Sequence, residues 1–127
     1  MQKQLFAFSK TTLGELIVGI AFGKLSKLLP VKRVLETDQV LAFWHPKPYW
    51  EQHILIVPKR TIKNLASATP EDLPYIQAVF AAAQEIVVNE GWDKTDFSIT
   101  TNGGARQEVA QLHFHLMRGP IVKDKTE

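Results

Sequence analysis

The clearest periodic pattern in the chain lies near its C-terminus, over residues 111–117, where polar and apolar positions alternate. In a β-strand this period of two sends successive side chains to opposite faces. The pattern therefore predicts a strand whose apolar side chains pack inward. Its other face would carry a row of three hydrogen-bonding side chains: Gln111, His113 and His115.

Further strands are predicted earlier in the chain. Residues 33–44 contain two short apolar runs around a polar turn at 37–39, which indicates a hairpin. His53 opens a run that is apolar on both faces and indicates a buried central strand. Residues 96–101 alternate again, and the glycine-rich turn after them can take left-handed backbone angles and present amides to an anion.

The loop between the hairpin and the central strand contains Pro46 and Pro48 beside the aromatic pair Tyr49 and Trp50. Neither a helix nor a central strand tolerates this proline content. We expect an irregular loop that forms the rim of a ligand pocket.

A first helix is predicted over residues 13–28, with a capping box formed by Thr12 and Glu15 and a stop at Pro30. Its apolar stripe is expected to cover the sheet or a subunit interface. Because Lys24 and Lys27 border that stripe, contact with a membrane surface or a partner is the alternative.

A second helix is predicted to begin with Thr69 as capping residue and Pro70 at its first position, and to end at Gly91. Helical spacing gives its expected core-facing stripe. That stripe comprises Leu73, Ile76, Phe80, Ala83 and Val87.

These elements predict an α+β fold with a mainly antiparallel sheet of about five strands and two main helices. The length of 127 residues and the hydrophobic content of 45% suit one domain. We expect a single domain over 1–127, with an N-terminal helical extension over 1–30 and a core over 34–119.

Composition excludes several classes of function. The net charge is only +2 and the basic residues are scattered, so the chain lacks the footprint of a nucleic-acid-binding protein. There is no cysteine, which excludes disulfides, cysteine-ligated zinc and a thiol nucleophile. No secretion signal or membrane-spanning segment is evident, and a cytoplasmic location is expected.

The histidines on the final strand are the candidate chemistry. Imidazole titrates near neutral pH and can act as nucleophile, general base or metal ligand. His113 and His115 would lie about 7 Å apart on one strand face, which suggests that something binds there. The alternative is the exposed polar face of an edge strand.

Residues 107–116 resemble the signature of the histidine-triad (HIT) family, in which three histidines alternate with apolar residues after a glutamine-containing lead-in. The likeness extends to residues 40–43, the proline-containing loop and residues 53–60, and covers 34–119 in all. Two positions depart from the family pattern. Gln111 replaces the first histidine of the triad, and His45 replaces the acidic residue that holds the nucleotide ribose.

The resemblance implies a nucleotide hydrolase or transferase that uses no cofactor or metal. The nucleophile that attacks the α-phosphorus of a nucleoside 5′-phosphate conjugate would be His113, giving a nucleotidyl-histidine intermediate that water hydrolyses. His115 would donate to a phosphate oxygen, and Gln111 and His53 would complete the catalytic set. Implied substrate-binding residues are Asn102, Gln107, His45 and Phe43. The conjugate would be a phosphoramidate, an aminoacyl-adenylate or a dinucleoside polyphosphate.

Two other functions remain open at this point. The chain could be a nucleotide-binding module that has lost useful turnover through Gln111 and His45. It could also be a metal protein in which His53, His113 and His115 converge on zinc. The resemblance further implies a homodimer.

Overall fold

The computed structural model describes residues 13–22 and 29–123, and its strands form one antiparallel sheet in the order β1-β2-β3-β5-β4. The elements are helix α1 at Leu13–Ala21, strands β1 at Arg33–Glu36, β2 at Val40–Trp44 and β3 at Trp50–Pro58, helix α2 at Leu73–Glu90, and strands β4 at Ser98–Thr101 and β5 at Phe114–Ile121. The predicted α+β class, with five strands and two helices, is confirmed.

Apolar side chains on both faces of the sheet explain why one helix packs on each side. On one face, Ile54 and Ile56 of β3 belong to a buried cluster with Ile76 of α2. On the other face, Leu55 and Val57 cluster with α1. β3 is therefore buried from both sides, as its sequence predicts, and it occupies the centre of the sheet.

The hairpin at residues 33–44 forms as predicted, with β1 and β2 paired antiparallel. Thr37 closes the turn, because its Oγ1 accepts hydrogen bonds from the main-chain N–H groups of Gln39 and Val40, each at 3.1 Å. The next strand begins earlier than expected. Trp50, assigned from sequence to the loop, is the first residue of β3.

The predicted first helix is confirmed over Leu13–Ala21, and Phe22 already lies outside it. Leu16, Ile17, Ile20 and Ala21 are buried. Its side chains pack on the sheet face formed by Leu41, Phe43, Leu55 and Val57. The predicted cap at Thr12 and the continuation over 23–28 lie outside the described residues. Among the described residues, no helix has both the length and the apolar character to cross a bilayer.

The start of α2 was predicted wrongly. The helix begins at Leu73 with Asp72 as the cap residue, not at Pro70 after Thr69. The Asp72 carboxylate accepts hydrogen bonds from the main-chain N–H and the hydroxyl of Thr69, which folds residues 69–72 into a turn before the helix. The predicted end is confirmed, because Gly91 takes the left-handed conformation at φ 75°.

The buried stripe of α2 also differs in part from the prediction. Ile76, Ala83 and Val87 are buried as expected. Leu73 and Phe80 are instead 55% and 49% exposed, although the ring of Phe80 still makes an edge contact with Phe114 of β5. The buried face comprises Ile76, Val79, Ala82, Ala83, Ile86 and Val87.

The final strand is shifted from its predicted bounds of 111–117, since β5 begins at Phe114. The alternation nevertheless has its predicted effect, because Leu112, Phe114 and Leu116 all pack into the cluster beneath α2. Gln111 and His113 lie in the approach to the strand, so the three polar side chains do not form one row on a strand.

Candidate functional site

Pairing of β3 with β5 brings two histidines together at the centre of the sheet. Leu55 lies opposite His115 and His53 lies opposite Met117, so the two imidazoles are diagonal neighbours on one face. The Nε2 atom of His53 and the Nδ1 atom of His115 are 2.8 Å apart, within hydrogen-bond distance.

The direction of this hydrogen bond follows from a neighbouring main-chain group. The N–H of Tyr49 donates to Nδ1 of His53 at 3.2 Å, so that nitrogen carries a lone pair. The ring proton of His53 is then on Nε2 and is donated to Nδ1 of His115. His115 consequently holds its own proton on Nε2.

His113 is held by its own chain. Its Nδ1 lies 2.8 Å from the main-chain oxygen of Gln111, and because a carbonyl can only accept, Nδ1 is the donor. Thr101 of β4 donates its hydroxyl to the main-chain oxygen of His113 at 2.8 Å. Burial lowers the pKa of His113, and the Gln111 carbonyl and the charge of Glu108 raise it in part. The imidazole of His113 is therefore neutral, and its Nε2 carries the free lone pair.

His45 follows β2 and stacks on His53, with ring centroids 4.4 Å apart. The main-chain N–H of Lys47 donates to Nδ1 of His45 at 3.0 Å, so the ring proton is on Nε2. Burial lowers the pKa of His45 from 6.5 to about 4, and the charge of Lys123 and the charge that His113 would carry if protonated act in the same direction. His45 is therefore neutral across the physiological pH range and can only donate through Nε2.

A cavity of about 670 Å³ opens beside these histidines, which lies within the range of small-molecule sites. Its polar wall contains the imidazoles of three histidines together with Asn102 of the turn after β4. Its apolar wall includes Leu13 and Ile17 of α1 and Leu55 of β3. The lining of the cavity thus combines hydrogen-bonding groups with hydrophobic side chains.

Comparisons with known proteins identify the family. The sequence profile of the HIT domain matches residues 27–120, which is well over half of the chain. The chain belongs to the HIT domain family. An uncharacterised HIT-like protein of Helicobacter pylori is 31% identical over 93 residues, covering 72% of this chain and 86% of the relative.

Solved structures of the family are similar to this HIT domain. A HIT family hydrolase from Clostridium thermocellum matches with a TM-score of 0.71 and 25% identity, covering 87% of this chain and 96% of that one. A histidine triad nucleotide-binding protein from Candida albicans matches with a TM-score of 0.64 and 27% identity, covering 75% of this chain and 71% of that one. The fold is therefore that of a HIT family hydrolase.

Of the eight site residues predicted from the sequence, four line the cavity of the HIT domain: His45, Asn102, His113 and His115. The other four do not. His53 lies behind His115, and Phe43 is fully buried in the cluster beneath α1. Gln107 bonds to the loop before α2, donating to the Lys63 carbonyl at 2.6 Å and accepting from Asn64.

Gln111 does not line the cavity of the HIT domain, and the residue is only 1% exposed. The amide is bonded entirely to main-chain groups of Arg60, Ile62 and Leu112. The structure therefore brings together His113, His115 and His45 at the cavity, and not the predicted row of three with Gln111.

Three charged residues of the HIT domain that sequence reasoning did not select line the cavity: Lys47, Arg106 and Glu108. Lys47 lies between the two loop prolines, and the other two residues flank Gln107 in the lead-in to β5. The sequence signal that could have identified these three residues is their position next to residues that were predicted to lie in the site. Loop residues carry no periodicity that reveals which way they face, so charge alone did not distinguish them.

The predicted alternative of a three-histidine zinc site in this HIT domain has no geometric support in residues 13–22 and 29–123. Over that part of the chain, no group of three or more histidine or carboxylate side chains is arranged to hold a metal ion.

Proposed function

We propose that this chain is a hydrolase or transferase that cleaves a nucleoside 5′-phosphate conjugate at the α-phosphorus through a nucleotidyl-histidine intermediate. The observation that carries the proposal is the hydrogen bond from Nδ1 of His113 to the Gln111 carbonyl, which leaves the Nε2 lone pair of a neutral imidazole at the cavity. Attack on phosphorus requires a neutral imidazole of defined tautomer.

In the first step, Nε2 of His113 forms a bond to phosphorus while the bond from phosphorus to the leaving group breaks. The leaving group keeps that electron pair and takes up a proton from solvent. Water then attacks phosphorus and releases a proton to solvent, while the N–P bond breaks and its electron pair returns to Nε2. The mononucleotide is released and the imidazole is restored. Splitting one difficult displacement into two easier ones is the advantage of covalent catalysis.

His115 would stabilise the negative charge that develops on the non-bridging phosphate oxygens. The chain of hydrogen bonds from Tyr49 through His53 fixes the proton of His115 on Nε2, so that this nitrogen is a donor. Lys47 and Arg106 bring positive charge to the same cavity. Donors and cations that are already in place before reaction are an effective means of stabilising such charge.

The apolar wall formed by Leu13, Ile17 and Leu55 suits the face of a nucleobase. His45 would donate a hydrogen bond to the sugar through Nε2, because its acceptor nitrogen Nδ1 already accepts the Lys47 N–H. A carboxylate in that place would accept from both ribose hydroxyls, whereas this imidazole accepts from neither. We therefore propose that the site discriminates weakly between ribose and 2′-deoxyribose.

The carboxylate of Glu108 is expected to influence which leaving group the site favours. It lines the cavity and acts electrostatically on His113. A polyphosphate leaving group would bring further negative charge toward this carboxylate, whereas the amine released from a phosphoramidate or the zwitterionic amino acid released from an aminoacyl-adenylate carries no net negative charge. Among the three conjugates expected from the sequence, we therefore propose phosphoramidates and aminoacyl-adenylates ahead of dinucleoside polyphosphates.

Intact-protein mass spectrometry with an adenosine phosphoramidate tests the reaction. We expect a rapidly formed adduct of one nucleotidyl group on the wild type and none on His113→Ala, together with steady release of AMP by the wild type alone. Adduct without turnover, or AMP binding without adduct, would instead favour the nucleotide-binding module, an alternative motivated by the donor-only His45. A diadenosine polyphosphate as second substrate measures the leaving-group preference.

We also propose that two copies of the chain pair through α2. Leu73, Phe80 and Val88 are 55%, 49% and 58% exposed, and their spacing places them on one side of the helix. Strand β4 is at one edge of the sheet, and an edge strand favours pairing with another strand.

A further inference from the structure

The side-chain amide of Gln111 is engaged at both its oxygen and its nitrogen, and it has no N–H left to donate to a substrate. Its Oε1 accepts from the Ile62 N–H at 3.1 Å. Its Nε2 donates to the main-chain oxygens of Arg60 at 3.0 Å and of Leu112 at 3.2 Å. A primary amide has two N–H groups, and both are used.

These hydrogen bonds join the approach to β5 with the segment that follows β3. The main chain adds a further link, because the Leu112 N–H donates to the Ile62 oxygen at 2.7 Å. Ile62 is 2% exposed and belongs to the core beneath α2, which holds the segment in place. Arg60 is in turn bonded to the carboxylate of Asp72 at the start of α2.

The main-chain oxygen of Gln111 is the acceptor that holds Nδ1 of His113 at 2.8 Å. Rotation of the peptide at Gln111 would remove that acceptor and allow the ring proton of His113 to move to Nε2. The lone pair would then be on the wrong nitrogen for attack from the cavity side. The orientation of this one carbonyl therefore decides which nitrogen of His113 is nucleophilic.

We propose that Gln111 is a positioning residue, whose side-chain amide fixes its own main-chain carbonyl and thereby the Nδ1–H tautomer of His113. The proposal rests on the proposed function of His113 as nucleophile. The proposal also accounts for glutamine at position 111. Holding the main-chain carbonyl requires a hydrogen-bond donor and an acceptor in the side chain but no proton transfer. A neutral imidazole here could accept from the Ile62 N–H and donate to the Arg60 oxygen, keeping two of the three bonds.

Nitrogen NMR of the histidine side chains tests the tautomer without any substrate. At pH 7.5 we expect His113 of the wild type to be protonated on Nδ1. In Gln111→Met, which keeps the length but loses the amide, we expect a mixture of tautomers at His113 and no change in the His53–His115 pair. Gln111→His should restore the wild-type tautomer.

Gln107→Met is the matched control, because Gln107 also bonds the loop before α2 but does not hold the carbonyl that faces His113. It should leave the tautomer unchanged. Should Gln111→Met fail to fold, Gln111→Asn keeps the amide but is one methylene too short for the same contacts, and the mixture of tautomers is expected there. A folded variant with His113 wholly protonated on Nδ1 would overturn the proposal.

Adduct formation gives a second readout. We expect the rate of adduct formation in Gln111→Met to fall on the order of tenfold or more with little change in KM, because misorientation affects the attack more than binding. If the wild type forms the adduct but the His113 tautomer is the same in the Gln111 variants, the positioning role of Gln111 is refuted and the proposed function stands. If the tautomer responds but no adduct forms on the wild type, the proposed function fails and the structural control of His113 stands.

Discussion

Ile17 and Ile20 allow the two roles of α1 to be separated. Both side chains belong to the cluster between α1 and the sheet, and they are 1% and 0% exposed. Only Ile17 also lines the cavity. Ile17→Ala and Ile20→Ala remove the same atoms from the same helix, so any difference between the variants in ligand affinity reports contact with the ligand.

The expected magnitudes follow from burial. Truncation of a packed isoleucine to alanine lowers the free energy of unfolding by about 2–5 kcal/mol, and equal burial predicts similar losses for the two variants. Each buried methylene contributes about 0.8 kcal/mol, so the loss of about two such groups at the cavity wall would raise the Kd for a mononucleotide roughly tenfold. Ile20→Ala should leave Kd unchanged.

Urea unfolding measures the stability of both variants, and calorimetric titration with AMP measures Kd. If the alanine variants are too unstable, Ile17→Val and Ile20→Val, which cost only about 0.5–1.5 kcal/mol, serve as the pair. An equal rise in Kd for both variants would mean that α1 acts only through stability. No rise in either would mean that the apolar wall does not contact the nucleotide.

Three further predictions concern charge and assembly. Because folding lowers the pKa of His45 from 6.5 to about 4, the unfolded chain binds a proton between these values that the folded chain does not. As pH falls from 6.5 to 4, protonation of His45 in the unfolded chain should therefore lower the free energy of unfolding by an amount on the order of 3 kcal/mol. Urea titrations should show a smaller dependence of stability on pH in His45→Gln. Glu108 raises the pKa of His113, so Glu108→Gln should move the acid limb of the kcat/KM profile to lower pH, and movement to higher pH would contradict this electrostatic role. Phe80→Glu should produce monomers in light scattering, whereas Leu65→Glu, a similarly exposed site outside α2, should not; a monomeric wild type would refute the pairing through α2.

Local patterns in the sequence predicted much of the fold. The alternation around Phe114 correctly assigned the inward face of the last strand, because side-chain direction in extended chain has a fixed period. The run after His53 predicted the central strand because both of its faces are apolar. Gly91 marked the end of α2, because a left-handed residue there suits glycine.

The errors occurred where local signals compete with contacts made elsewhere. Thr69 has the composition of a cap, but its N–H is bonded to Asp72 and the helix starts later. Phe80 has helical spacing with the core positions, yet whether it is buried depends on how α2 is rotated against the sheet. Neither the competing bond nor the rotation can be read from spacing.

The sequence by itself determined the strands and helices, the absence of thiol chemistry and the presence of two alternating histidines, because these depend on residue type and on backbone periods. The tertiary structure decided which nitrogen each imidazole presents, since Tyr49 and the Gln111 carbonyl reach His53 and His113 only in the folded chain. It also decided that Gln111 faces the segment after β3 and not the cavity. Contacts between residues some fifty positions apart in sequence arise only from packing, as in the bond between Gln111 and Ile62.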